Sequence, residues 1–546
     1  MSNAGVEQTI LGRVLDVNGD RAICVFDLDT LTRLRREGMG TLIGATSIGC
    51  YVKVGVGDHW LVGSISEIAT DRADGASVTA TIDFLGEGLR RSDDSLAGFK
   101  RGVTYYPLAG DPVCVAHRAD LAQVFSPESQ PHIEIGTVHP TADIRASLLY
   151  DKLLSRHFAV LGSTGCGKST LVSIMLHRIM EESPEGHIVV LDPHGEYAAA
   201  FASTGQVYNV DNLEIPYWMM NLEEHCEAFI PDTEESREID INVMAKCLLA
   251  ARSRNDEFQG RCDVTVDSPI PYVEGDLTDA LDEEMGKLEK QAELQTYLRL
   301  KLNIEQFFAD PRYRFIFDDR LREKSMTEFL SQLLRIPAAG KPISIIDLSG
   351  APSQIVKVIV SLLSRIVLDF AIWTPADRRT PVLLVCEEAQ RYLPAIHPDK
   401  AMSAERQLER IAREGRKYGV SLGLVTQRPS ELSETALSQC GTIISMRMTN
   451  TNDQAKVKAT LPEGSRSLIQ IVPALQNREC VIAGEGTRVP VRVRIDDADE
   501  AIRPASDDPE FSKLWNQSPQ ANGSIRETVH RWRRGDVMGG APPAER

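Results

Sequence analysis

A chain of 546 residues is more than one ordinary core accommodates, so at least two packed domains are expected, and the 42% hydrophobic content is enough to build them. The formal net charge of -18 excludes a surface that coats nucleic acid throughout, while leaving room for a local basic channel. The ten cysteines are scattered without a C-x-x-C pair or a His-rich cluster, which excludes a disulfide framework or a zinc module and fits a reduced cytosol. No stretch approaches the roughly 18 uninterrupted apolar residues of a membrane span, and the opening residues lack a basic segment followed by an apolar run. A cytoplasmic protein with no membrane anchor is therefore expected.

Residues 8 to about 120 consist of short apolar runs punctuated by turn residues. ILGRVLDV and RAICVF flank Asn18-Gly19-Asp20, and an Asn-Gly between two strand-like runs predicts a hairpin whose turn uses positive φ. IGCYVKVGVGDHWLVGSISEI and GDPVCVAH continue the pattern, so residues 1–130 are predicted to form a small β-barrel. From about 131 the texture changes to strand-helix alternation. HFAVLG, HIVVLD, PISIIDLS, PVLLVCEE and VSLGLVTQ are short, almost wholly apolar runs that suit strands covered on both faces of a parallel sheet. The expected fold class is thus α/β: a RecA-like P-loop core in two parts, 131–214 and 336–500. Between them, 215–335 reads as a helical insertion. There DEEMGKLEKQAELQTYLRLKLNIEQFF places Met285, Leu288 and Ala292 at three-to-four spacing, as one amphipathic helix would. Residues 501–546 are Pro-, Gly- and charge-rich, with a short helical candidate at RETVHRWRR, and are predicted to be a tail or arm.

The strongest chemical signal follows the strand HFAVL: Gly162-Ser163-Thr164-Gly165-Cys166-Gly167-Lys168-Ser169, a complete G-x-x-x-x-G-K-[ST], with Thr170 continuing into a helical run. Glycines at these positions let successive backbone N–H groups turn inward around a polyphosphate, the helix N-terminus adds its positive end, and Lys168 supplies a full charge. Ser169 is the expected magnesium ligand, and ATP with Mg2+ the expected cofactors. The bland alternative, a glycine-rich turn with no ligand, sits poorly with a complete motif in its proper strand-helix setting.

PVLLVCEEAQ ends an apolar strand in Glu387-Glu388. A P-loop hydrolase needs one carboxylate for the magnesium water shell and one to activate the attacking water. Glu387 is assigned to the metal and Glu388 to the base; the competing reading is an exposed acidic pair capping the next helix. Many motifs of this kind begin with Asp, and the longer Glu387 makes the metal geometry a question for the structure. At VTQRP, Gln427 emerges from another strand end, where an amide can hold the γ-phosphate or water; an ordinary loop polar residue fits the spacing equally well.

Charge developing on the transferred phosphoryl group calls for a further cation. On SAERQLERIAREGRKYG, Arg406, Arg410, Arg413 and Lys417 share one helical stripe, with Leu408 and Ile411 elsewhere. Spacing alone favours solvated arginines paired with acids such as Glu409, one turn before Arg413. Arg428, Lys357 and Arg447 are candidate DNA contacts by position and ordinary surface cations by type.

Taken together, HFAVLGSTGCGKS, LDPHGEY, the Glu-Glu strand, GRKYGV and VTQRP, in this order, resemble the HerA family of hexameric DNA helicase-translocases, within the FtsK/HerA superfamily. DPHGEY, Asp192 to Tyr197, is the most discriminating segment, and IGCYVKV, YPLAGDPVCVAH and LQNRECVIAGEG extend the similarity over nearly all of the chain before 500. The resemblance implies a homohexamer, ATP bound at subunit boundaries and double-stranded DNA threaded through the pore. It also implies that Arg413 is an arginine finger, with Arg416 as its nearby alternative, and that Arg156 is a second interface arginine. His194 is open to a DNA or subunit contact or to a turn-forming role. The family's partners imply a separate effector, a nuclease or a sirtuin-like protein, in DNA end processing or antiphage defence. A ring scaffold that uses ATP as a switch is the alternative, and a conjugation or secretion ATPase a third reading that shares the core fold.

Overall fold

The computed structural model describes residues 9–36, 47–70, 77–141, 143–231, 237–255, 263–287, 291–395, 403–461, 463–505, 510–516 and 523–534. They belong to two compact units: residues 1–183 with 421–503, and residues 184–420 with 504–546. The predicted barrel thus groups with the P-loop segment, and the predicted insertion lies within the second unit.

The first unit opens with β1 (Ile10–Val17), β2 (Arg21–Asp27) and α1 (Leu28–Arg36), followed by β3 (Tyr51–Val56), β4 (His59–Thr70), β5 (Ser77–Arg90), β6 (Leu96–Arg101) and β7 (Pro112–Val115). The strand order β2-β1-β7-β3-β4-β5 closes through pairing of β2 with β5, which makes a six-stranded barrel with β6 attached to β5. Alternating inward residues such as Val14, Cys24, Phe26, Val52, Val54 and Ile82 fill it, and α1 adds Leu31 and Leu34. The β1–β2 hairpin forms where predicted, with the Asn18 N–H donating to the Arg21 carbonyl at 2.8 Å. Its turn differs from the expectation: Gly19 and Asp20, and not Asn-Gly, are the central pair, and Asn18, Gly19 and Asp20 all keep φ outside the positive region. Outside the barrel wall, α2 (Arg118–Phe125) brings Asp120 to Lys53 on β3 at 2.8 Å, an ion pair in which both residues are 1% exposed.

Next come β8 (His132–Val138), β9 (Arg145–Leu149), α3 (Tyr150–Ser155), β10 (Phe158–Leu161) and α4 (Lys168–Glu182). The chain then enters the second unit with β11 (Ile188–Asp192) and β12 (Gln206–Tyr208). Helices α5 (Leu222–Phe229), α6 (Arg237–Ser253), α7 (Glu274–Met285), α8 (Gln291–Ala309) and α9 (Met326–Leu334) occupy the stretch read as an insertion. Two helices stand where one was predicted across Met285 and Ala292. The reason is local: α7 stops at Met285, with Gly286 as its C-cap donating to the Asp282 and Glu284 carbonyls, and Leu288 lies outside the described residues. The unit continues with β13 (Ile343–Asp347), α10 (Ser353–Trp373), β14 (Val382–Cys386) and α11 (Ser403–Tyr418). Its sheet order is β12-β13-β11-β14, with β11 parallel to both β13 and β14. Every residue of β11, β13 and β14 is buried, as continuous apolar runs require when helices cover both faces.

The insertion is fastened by buried polar groups. The Arg365 guanidinium on α10 forks onto Glu224 of α5 at 3.0 and 2.8 Å and also donates to the Met219 carbonyl. Arg252 on α6, fully buried, donates to the carbonyls of Trp218, Met220 and Val266.

Back in the first unit, β15 (Val420–Thr426), α12 (Glu434–Ser438), β16 (Thr442–Met446), α13 (Thr451–Thr460), β17 (Glu479–Gly484) and β18 (Val491–Ile495) complete the order β15-β10-β16-β17-β18-β8-β9. Strand β10 is parallel to β15 and β16, and the β17, β18, β8 and β9 extension is antiparallel. The five runs singled out in the sequence are all strands; β12, β16 and the antiparallel extension were not predicted. The tail carries α14 (Phe511–Leu514) and α15 (Gly523–Arg534), the latter over the predicted RETVHRWRR. Among the described residues no helix is long and apolar enough to cross a membrane.

Candidate nucleotide site

The loop between β10 and α4 has the conformation its glycines permit. Gly165 and Gly167 take φ of +73° and +100°, Gly167 being the N-cap of α4, and a Cβ on Gly162 would stand 2.8 Å from both the Cys166 sulfur and the Met446 Cβ. Backbone neighbours brace the loop. Ser163 donates its N–H and its hydroxyl to the Arg447 carbonyl, each at 2.9 Å, and the Cys166 carbonyl accepts the Arg478 N–H at 3.1 Å. Lys168 is 8% exposed, its amine resting on the Ser163 carbonyl at 3.3 Å, and Ser169 and Thr170 follow on the first turn of a fifteen-residue helix. Residues 162–170 therefore form a preshaped anion cradle at a helix N-terminus. Burial pushes the Cys166 thiol up, so this residue packs rather than reacts.

Gln427, the first residue after β15, reaches this loop: its side-chain oxygen accepts the Thr164 hydroxyl. An amide and a P-loop hydroxyl more than 260 positions apart are thus in direct contact, a relation spacing alone had left even with an ordinary loop residue. Arg447 and Arg478 are the residues the sequence reading missed here as loop neighbours. Their partners lie hundreds of positions away, and no local signal marks them.

In the second unit, Glu387 and Glu388 directly follow β14 and are 2% and 6% exposed. Glu388 adopts a left-handed φ of 51° and makes no side-chain cap to the turn that follows, contrary to the exposed-cap alternative; Gln390 donates to its Oε2. The Tyr197 hydroxyl donates to Glu387 Oε2 at 2.6 Å. Burial, with the Glu387 charge beside it, drives the Tyr197 pKa well up, which keeps the phenol protonated and donating. Tyr197 belongs to DPHGEY, whose turn is organised by Asp192. The Asp192 carboxylate accepts the N–H groups of His194 at 3.1 Å, Gly195 at 2.9 Å and Tyr197 at 2.9 Å. Burial nonetheless raises the Asp192 carboxyl above the usual carboxylate range. The His194 side chain is exposed while its N–H serves the turn.

The candidate arginines of α11 sit on an exposed face, and Arg156 is half-buried. On α11, Arg406, Arg410, Arg413, Arg416 and Lys417 are exposed while Leu408 and Ile411 are buried. Arg413 pairs with Glu409 at 2.8 Å, Arg406 with Glu223 at 2.7 Å, and Arg156 with Glu485 at 2.6 Å. These are the surface pairs expected of solvated arginines; each is worth about 0–1 kcal/mol, little enough to exchange for a phosphate. Arg428 and Lys357 are exposed as well, Arg428 lying 4.0 Å from Glu431.

Magnesium suits the oxygens present. In the first unit the Ser169 hydroxyl, and in the second the Glu387 carboxylate, are each hard oxygen donors of the kind magnesium takes.

A parallel sheet, a complete phosphate cradle and a buried carboxylate pair at a strand end define an α/β P-loop ATPase with an N-terminal barrel. Residues 133–367 match the family described as "Helicase HerA, central domain". The chain is 28% identical over 400 residues to the DNA double-strand break repair helicase HerA of Pyrococcus furiosus, covering 66% of this chain and 69% of that protein. It is 26% identical over 517 residues to the probable helicase MJ1565 of Methanocaldococcus jannaschii, covering 90% and 92%. Among solved structures, VirB4 of Thermoanaerobacter pseudethanolicus aligns with a TM-score of 0.48 at 14% identity over 69% of this chain and 99% of that one. Residues 133–367, and in the longer of these two alignments most of the chain, are thus similar to HerA helicases.

Proposed function

We propose that this protein is an ATP-driven translocase or helicase on double-stranded DNA, working as a homohexamer with Mg2+-ATP. Its partner is a separate effector, a nuclease or a sirtuin-like protein, in DNA end processing or antiphage defence in the cytoplasm. Lys168 and residues 162–170 hold the phosphates, Ser169 and Glu387 the magnesium, and Glu388 activates the attacking water. Arg413 and Arg156 serve neighbouring subunits. We also retain the domain segments 1–130, 131–214, 215–335, 336–500 and 501–546 as the working organisation.

The observation that carries this reading is the Thr164–Gln427 hydrogen bond. A P-loop hydroxyl tied to the residue before Arg428 gives phosphate chemistry a mechanical route to an exposed cation, which is what coupling ATP turnover to a DNA backbone requires. The test is ATPase activity against duplex length and salt. Turnover is expected to rise with duplex DNA, and binding to fall steeply between 50 and 200 mM salt (on the order of a thousandfold for about six phosphate contacts), with little sequence preference. Rates indifferent to DNA at every length and salt would instead favour the ring scaffold that uses ATP as a switch.

A further inference from the structure

We propose that Tyr197 is a positioning residue for Glu387: its hydroxyl fixes the carboxylate that the proposed function assigns to magnesium. The inference rests on that assignment. A glutamate has one more rotatable bond than an aspartate, so a metal-directed glutamate at a strand end needs something to select its rotamer. Here the selection is visible. Glu387 Oε2 accepts the Tyr197 hydroxyl at 2.6 Å, and Tyr197 itself has no exposed surface, so neither partner can move aside into solvent. A phenol donating to a carboxylate in a dry setting is a charge-assisted bond, stronger than its neutral counterpart.

The tyrosine is in turn held by its own turn. Asp192, at the end of β11, binds the Tyr197 N–H through one oxygen and those of His194 and Gly195 through the other. Gly195 has φ of +71°, which a side chain would strain, and a Cβ there would crowd the end of β13 at 3.1 Å from Asp347 Oδ2 and 3.2 Å from Oδ1. The Leu348 N–H donates to the Asp192 carbonyl at 2.8 Å, and the Glu387 N–H to the Leu191 carbonyl at 3.1 Å, tying the ends of β13, β11 and β14 together. The turn over Asp192 to Tyr197 thus acts as a bracket. It starts on one strand, is backed by a second, and delivers a hydroxyl to the carboxylate on a third.

The test uses the full-length protein and two readouts. Binding of a non-hydrolysable ATP analogue is followed by fluorescence across a magnesium titration, and turnover is measured at saturating ATP. Tyr197→Phe is expected to raise the half-saturating magnesium severalfold and to lower turnover about tenfold, the effect of losing one charge-assisted hydrogen bond, while analogue binding without magnesium stays unchanged. In a Glu387→Gln background the same substitution should leave the magnesium dependence where Glu387→Gln alone puts it. An unaltered magnesium dependence in Tyr197→Phe, or an additive shift in the double variant, overturns the inference. If Tyr197→Phe does not fold, 3-fluorotyrosine placed at 197 keeps the shape and makes the hydroxyl more acidic. It must then shift the half-saturating magnesium, and no shift overturns the inference equally. A Glu387→Gln protein with normal magnesium dependence would instead remove the assignment of Glu387 to the metal, a separate failure.

Discussion

The Thr164 hydroxyl hydrogen-bonds to the Gln427 side chain, joining the phosphate loop to the C-terminal end of β15 across 263 positions of sequence. Thr164 itself is exposed at the crest of the loop, so the bond can exchange for one to a γ-phosphate without unpacking the core. Gln427→Ala is therefore expected to bind ATP normally, to lose about tenfold in basal turnover, and to lose stimulation by DNA altogether. Thr164→Val should reproduce the loss of stimulation. ATPase assays with and without duplex check both, and an alanine variant that is still stimulated to the unmodified extent would remove Gln427 from the coupling route.

The roles proposed for Lys168 and Glu388 divide binding from chemistry. Lys168 lies in the cradle with its amine on the Ser163 carbonyl, so Lys168→Ala should reduce nucleotide affinity by at least about a hundredfold, the loss of a charged phosphate contact. Glu388→Gln keeps the shape and removes the proposed base. It should bind ATP with unmodified affinity and fall on the order of a thousandfold in turnover. Calorimetric titration together with a phosphate-release assay separates the two.

What could be read from the sequence followed from how local each signal is. The P-loop was legible because its function resides in consecutive backbone groups, so Gly162 to Ser169 spell their own geometry. The five buried parallel strands were legible because helices on both faces leave an uninterrupted apolar run. The pair Glu387-Glu388 was found by its place after such a run, but its burial, which answers the helix-cap alternative, depends on what packs around it. Tyr197 was recognised only as part of a diagnostic segment: its partner lies 190 positions away, and nothing near residue 197 announces a carboxylate. The β1–β2 turn and the break after Met285 failed for the opposite reason. In both, the local pattern reaches one residue or one turn further than the structure does, to Asn18-Gly19 as the central pair and across Gly286, where α7 ends.

Arg252 makes a stability prediction within the helical insertion. Its guanidinium supplies the carbonyls of Trp218, Met220 and Val266 in a site with no solvent exposure. Burial depresses its pKa to about 10, still far above neutrality, so the charge persists at pH 7. Arg252→Ala leaves the buried Trp218 and Met220 carbonyls and the half-buried Val266 carbonyl unpaired, with a cavity beside them, and should lower the stability of this unit by about 3–5 kcal/mol. Arg252→Lys keeps the charge but reaches fewer of the carbonyls and should fall between the two. Chemical denaturation, followed by the fluorescence of the buried Trp218, measures the order.

Arg413 presents the last test, because the pairing it makes in the structure differs from the role proposed for it across subunits. Its guanidinium pairs with Glu409 at 2.8 Å on an exposed helix face, as a solvated arginine does, yet a pair of that kind is weak enough to release the arginine to a phosphate supplied by another subunit. If it acts as a finger in trans, Arg413→Ala should bind ATP with unmodified affinity and lose on the order of a thousandfold in turnover. Mixing supplies the decisive arrangement. Arg413→Ala subunits and Glu388→Gln subunits are each inactive alone, but in a mixed ring some boundaries join an intact Glu388 to an intact Arg413 from the neighbour. Activity should return in proportion to those boundaries, with subunit exchange verified by labelled protomers. The same mixture made with Arg416→Ala tells which arginine of the pair serves, since Arg416 is exposed on the same helix. A mixture that exchanges and stays inactive means that Arg413 works within its own subunit or that turnover needs every boundary intact. An Arg413→Ala protein with the unmodified rate returns the arginine to its pairing with Glu409 and to the solvated face of α11.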